Sequence, residues 1–176
     1  MLDSRTFDPW IGPRYESEGL DALKLLIVGE SHYGPAGNED ADFTRRVVQS
    51  QGRGERYRLF TATAKLVLGQ DDISDTERVS FWDRVAFVNY VQEFVTEDAQ
   101  DRARPSEDAW AEAREPFLAT VEDVSPDAVL VLGKELGSRL PDLSVPVHVV
   151  NHPSRFFARS KWQPGVQSFL ASARAV

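Results

Sequence analysis

The stretch "LLIVGESHYGPAG" at 25–37 runs four apolar residues into Gly29, then presents Glu30, Ser31, His32 and Tyr33 before the next glycine. A carboxylate, a hydroxyl and an imidazole in succession offer a general acid or base, a nucleophile and a proton carrier. Two other apolar runs end the same way. "VAFVNY" closes on Asn89 and Tyr90, and "VPVHVVNHPSRFF" leads into Asn151, His152 and Ser154.

Some chemistries can be weighed from these residues alone. Ser31 after a strand resembles the nucleophile elbow G-x-S-x-G, with a later His completing a serine hydrolase. Tyr33 stands where that sharp turn wants a second glycine. His148 and His152 lie four apart on an expected strand, which places them about 13 Å apart on one face, too far to share an ion. Cysteine is absent, which rules out disulfides, iron–sulfur clusters and Cys-ligated zinc. The expected metal content is none, and the expected cofactor content is none.

The elements that must carry these residues can be read from periodicity. Residues 23–29, 84–91, 127–133 and 145–152 are short, continuously apolar runs, expected as buried strands. Helices are expected at 42–52, at 56–69 with Gly69 as C-cap, at 134–140 and at 163–175. A further helix is expected at 105–124. Ser106 would cap it, acids fill its first turn, and Trp110, Phe117, Leu118 and Val121 form its stripe. The expected fold is α/β: three layers, α/β/α, around a mainly parallel four-stranded sheet, in one domain spanning 1–176. Ligands in such sheets bind beyond the carboxyl ends of the strands, where the three polar clusters fall.

The formal net charge of −8 argues against a general nucleic-acid binder. The charge is uneven, however. Residues 44–58 carry five Arg and one Glu, net +4, and residues 151–161 carry two Arg and one Lys, net +3. Residues 97–115 hold seven acids and three Arg, net −4. A local basic groove can exist on an acidic body. The longest apolar run is too short for a membrane span, and "MLDSRTFDPW" has no secretory pattern, so the expected location is cytoplasmic with no membrane partner.

Taken in order, these motifs resemble the uracil-DNA glycosylase superfamily over roughly residues 23–172. "GESHY" is similar to its water-activating loop, Asn89 to its base-reading Asn, and "NHPSRFF" to its His-Pro-Ser loop. The run "PSEDAWAEAREPFLATVEDVSPDAVLVLGKELG" is similar to the helix–strand segment of its bacterial and archaeal branches. The resemblance implies a uracil-DNA glycosylase-like fold and hydrolysis of the N-glycosidic bond of a flipped, deaminated base. In that chemistry a carboxylate stabilises the sugar cation and orients water, a role that falls to Glu30. His152 would stabilise the departing base, and Asn89 would donate and accept at the base edge. Gly29, Ser31, His32, Tyr33, Ser154 and an aromatic, Phe60 or Phe43, would shape the base pocket. Arg155, Phe156, Phe157, Arg159 and Lys161 would wedge into and grip DNA.

The chain departs from the family's branches. The best-known branch has Gly-Gln-Asp-Pro-Tyr-His, with the acid third, where this chain has Ser31. The iron–sulfur branch has Gly-Glu-Ala-Pro-Gly, with the acid second as at Glu30, but needs four Cys. The expected partners are single- or double-stranded DNA, or a small base or nucleotide. Two alternatives stand beside the glycosylase: a catalytically silent nucleotide- or nucleic-acid-binding protein of the same fold, and a serine hydrolase using Ser31. "FDPWIGPRY" at 7–15 is expected to cover a sheet edge or the cleft.

Overall fold

A computed structural model describes residues 5–35, 37–97, 103–153 and 157–175. Its centre is a five-stranded sheet: β1 Trp10–Ile11, β2 Leu25–Gly29, β3 Ala86–Asn89, β4 Ala128–Leu132 and β5 Val147–Val150, in the order β1-β3-β2-β4-β5. The four expected strands are mutually parallel, and β1 adds a short antiparallel edge against β3. The sheet is therefore one strand wider than expected, and the segment at 7–15 supplies the extra edge.

Strand β2 explains why both faces must be covered. Leu25 and Ile27 join one core with Phe87, Leu130 and Leu132, while Leu26 and Val28 join another with Val88, Val129 and Val131. Helices α1 Phe43–Val47, α2 Arg58–Leu68, α3 Asp75–Trp82 and α7 Arg159–Ala173 belong to the first side. Helices α4 Glu107–Glu112, α5 Arg114–Val124 and α6 Lys134–Arg139 belong to the second. Burying apolar side chains at about 25 cal/mol per Å² on both faces is what makes continuously apolar strands stable here. The outer strand β5 is the exception, with Val147 exposed and His148 half-buried against Phe169.

Several elements differ from the expected ones. The helix at 42–52 is a single α-turn that widens into a π-helix, Val48–Gly54. Arg78 holds that widened turn from α3. It is fully buried and donates to the carbonyls of Gly52, Gly54 (2.8 Å) and Glu55 (3.4 Å). The 105–124 helix breaks at Ala113 into α4 and α5. Helix α3 was not expected, although Ser74 and Glu77 close a reciprocal capping box at its start. Gly69 ends α2 with φ 71°, as expected of a C-cap glycine. No helix among the described residues is long and apolar enough to cross a membrane.

The connections place the site. From β2 the chain passes through α1–α3 to β3 on one side, then through α4 and α5 to β4 on the other. Strands β2 and β4 thus flank the point where the winding reverses, and the crevice beyond their carboxyl ends is where such sheets take ligands.

Candidate active site

A cavity of about 740 Å³ opens at that point, lined from all four parallel strand ends: Glu30 after β2, Asn89 of β3, Gly133 and Lys134 after β4, and His152 beyond β5. Its size suits a nucleoside-sized ligand. Of the expected residues, Gly29, Glu30, Ser31, His32, Tyr33, Phe60, Asn89 and His152 all line it, and so does Phe43. Ser154, Arg155 and Phe156 lie outside the described residues.

Backbone pairing fixes the relation of the first two strand ends. Gly29 stands in register with Asn89, and pairing continues past the strands as Tyr90 and Val91 donate to the carbonyls of Gly29 and Glu30, each at 2.9 Å. The Asn89 carboxamide lies directly over Gly29, and a Cβ at that position would meet Asn89 Oδ1 at 2.2 Å. Gly29 is thus required by close approach. Asn89 is only 6% exposed, lines the cavity, and its carboxamide has no hydrogen-bond partner among the described residues. Its polar atoms open onto the cavity, where a ligand can pair with them. The floor beside it is aromatic, with Phe60 and Phe87 5.5 Å apart between ring centroids and Tyr57 at the rim.

Glu30 is 18% exposed, and burial pushes its carboxyl above the usual range. Arg104 opposes this with an ion pair at 2.9 Å, and Glu135 adds to the rise. Arg104 also contacts Glu135, so one guanidinium bridges two carboxylates at the cavity mouth. Burial lowers the His152 imidazole below its ordinary value, and the Arg104 charge lowers it further. As a residue His152 is exposed, and it lines the cavity from beyond β5. Tyr33 is 40% exposed, and burial and the nearby Glu30 charge raise its phenol.

His32 has a different character. It is 5% exposed, its Nε2 lies 2.8 Å from Thr44 Oγ1, and Phe7 and Phe43 pack edge-on against its ring. Burial pushes its pKa down to about 3, so the ring is neutral and acts as a support for the loop. Ser31 is not among the described non-glycine residues with positive φ, and the chain runs from it into a loop that reaches α1 only at Phe43. That is not the strained strand-to-helix turn of a nucleophile elbow. Among the described residues no cluster of three His, Asp or Glu could hold a metal ion.

The expected nucleic-acid contacts fare unevenly. Phe157 is half-buried against the core, and Arg159 is paired with Asp71 and Gln163. Lys161 is exposed beside Trp162. Within 44–58, Arg45, Arg46, Arg53 and Arg56 are each paired with an aspartate, so that basic run is largely neutralised in place.

Sequence reasoning missed Arg104, Glu135, Lys134 and Tyr57. Arg104 was masked by the acidic excess of its neighbourhood, and only the Arg standing just ahead of the Pro105–Ser106 cap marks it. No family model matches the chain, and no curated protein matches it.

Proposed function

We propose that the protein is a monofunctional DNA glycosylase-like hydrolase that cleaves the N-glycosidic bond of a flipped, deaminated base, on a uracil-DNA glycosylase-like fold. The observation that carries this reading is the convergence of Glu30, the unpaired Asn89 carboxamide and His152 on one aromatic-floored cavity. A base entering over Phe60 and Phe87 completes the Asn89 carboxamide, which donates to one edge atom and accepts from another. Water attacks C1′ while the base leaves with the bonding pair. Ionised Glu30 stabilises the cationic sugar and takes the water's proton, and neutral His152 donates a hydrogen bond to the oxygen that gains charge. The departed base is then protonated from solvent.

The test is base release from single- and double-stranded DNA carrying uracil, hypoxanthine or xanthine. Glu30→Gln and His152→Ala should each lose release while keeping the wild-type circular dichroism spectrum. Undiminished release in both variants refutes the assignment. The Arg104–Glu30 pair favours one rival, a silent binder of the same fold, because it neutralises the carboxylate. Binding of nucleotides with no release from any substrate would support that rival.

A further inference from the structure

The cations of this acidic chain are mostly committed. Arg46 is held by Asp40, Arg139 by Glu107, Arg159 by Asp71, Lys24 by Glu16 and Lys65 by Asp72. Lys134 and Lys161 have no carboxylate partner among the described residues. Instead both ammonium groups lean on one indole, with Nζ 5.4 and 5.6 Å from the Trp162 ring centroid. Two ammonium groups brought to one ring, neither held by a carboxylate, are free to meet an incoming anion.

The placement is built by the fold. Gly133 has φ +143°, a conformation that side-chain-bearing residues rarely adopt, so the chain turns from β4 into α6 without a loop. That turn delivers Lys134 to the cavity wall at the winding reversal, and the Trp162 ring joins it to Lys161, which lies beyond the lining. Trp162 is half-buried against the core at the start of α7, which fixes the indole.

We propose that Lys134, Trp162 and Lys161 form a phosphate-binding platform at the cavity mouth, which takes a phosphate of the nucleotide whose base enters the cavity. This rests on the nucleobase reading of the cavity. The ammonium groups exchange the ring face for phosphate oxygens, which they meet as point charges. The vacated indole then offers a face to a neighbouring base when the phosphate belongs to a strand. The phosphate comes either from a free nucleotide or from a DNA strand, and the test separates the two.

Three ligands carrying a C-linked uracil, whose carbon–carbon bond resists hydrolysis, serve as probes: the nucleoside, its 5′-monophosphate and a single-stranded DNA pentamer. Binding to the full chain is followed by tryptophan fluorescence, in which Trp162 is the responsive residue because Trp10, Trp82 and Trp110 are buried. The double variant Lys134→Gln/Lys161→Gln should bind the nucleoside as wild type does and lose roughly tenfold or more on a phosphate-bearing probe. Its log K against log salt slope for the pentamer should fall by about 0.7, the value for one phosphate neutralised on a single strand. Lys24→Gln/Lys65→Gln, which removes an equal charge away from the cavity, should leave that slope alone. A gain for the monophosphate over the nucleoside identifies free nucleotide as a sufficient source, whereas a gain confined to the pentamer identifies the strand.

Equal binding of nucleoside and pentamer by wild type overturns the platform and leaves the base pocket standing. A phosphate gain and slope that survive in the double variant do the same. A platform that behaves as expected in a protein that releases no base overturns the glycosylase reading alone. Failure of all three probes to bind overturns both.

Discussion

Arg104 and Glu135 should move the ionisation of Glu30 in opposite directions. Two unit charges about 4 Å apart interact with roughly 4 kcal/mol at an effective dielectric near 20. Arg104 is 54% exposed and divides itself between two carboxylates, so solvent and competition reduce this toward the top of the surface-pair range, about 1 kcal/mol. At 1.36 kcal/mol per unit, that is about 0.7 pKa units. In Arg104→Gln, burial acts on Glu30 without that opposition, and its pKa rises. Because the reactive form is the carboxylate, the acid limb of kcat/KM for base release shifts to higher pH by about 0.7 units. In Glu135→Gln, a repelling charge disappears and Arg104 is left to Glu30 alone, so the limb shifts to lower pH by a similar or smaller amount. The pH profile of each variant on one uracil oligonucleotide is the assay, and carbon-13 NMR titration of the Glu30 carboxyl reads the same shift without turnover. Shifts of the same sign in the two variants, or none in either, would refute the bridge as the control on Glu30.

Two further outcomes follow from the packing. Gly29→Ala places a methyl group where Asn89 Oδ1 now lies, which should cut kcat/KM by roughly ten- to a hundredfold, the worth of one paired base edge; unchanged kinetics would remove Asn89 from the reading. His32 sets a pH dependence of stability. Its folded pKa is about 3 against an unfolded value of 6.5, so between those values the unfolded chain binds a proton that the native state refuses. Stability is then full above about pH 6.5 and falls with pH below it, by about 2 kcal/mol at pH 5. Urea unfolding at pH 7 and pH 5 should show a loss in wild type larger by about that amount than in His32→Gln. An equal loss in both proteins would mean that His32 is protonated in the native state.

The four parallel strands were legible because three are apolar on both faces and β5 breaks the run only at His148, a signal that needs no knowledge of its neighbours. Glu30, Asn89 and His152 were legible for the same reason, since polar side chains at the ends of such strands have few structural uses. What escaped reading depends on distant partners. The π-helix at Val48–Gly54 owes its shape to Arg78, 26 residues beyond Gly52 in the chain. The edge strand Trp10–Ile11 is two residues long and exists by pairing with β3. Arg104 meets Glu30 across 74 residues, and no local pattern links them. Helix α3 is a different case: "SDTE" carries its capping box, but the apolar stripe that should follow is weak.

Arg78 also determines how the two sides of the cavity should answer to their surroundings. The side that contributes Val47, Gln51 and Tyr57 is anchored by a buried guanidinium gripping backbone carbonyls, a contact that neither added salt nor any ordinary pH can titrate away. The opposite side is tied by the half-exposed Glu30–Arg104–Glu135 bridge, which both can weaken. Changing the medium should therefore loosen one rim while the other keeps its shape, so that the mouth opens like a hinged door rather than dilating evenly.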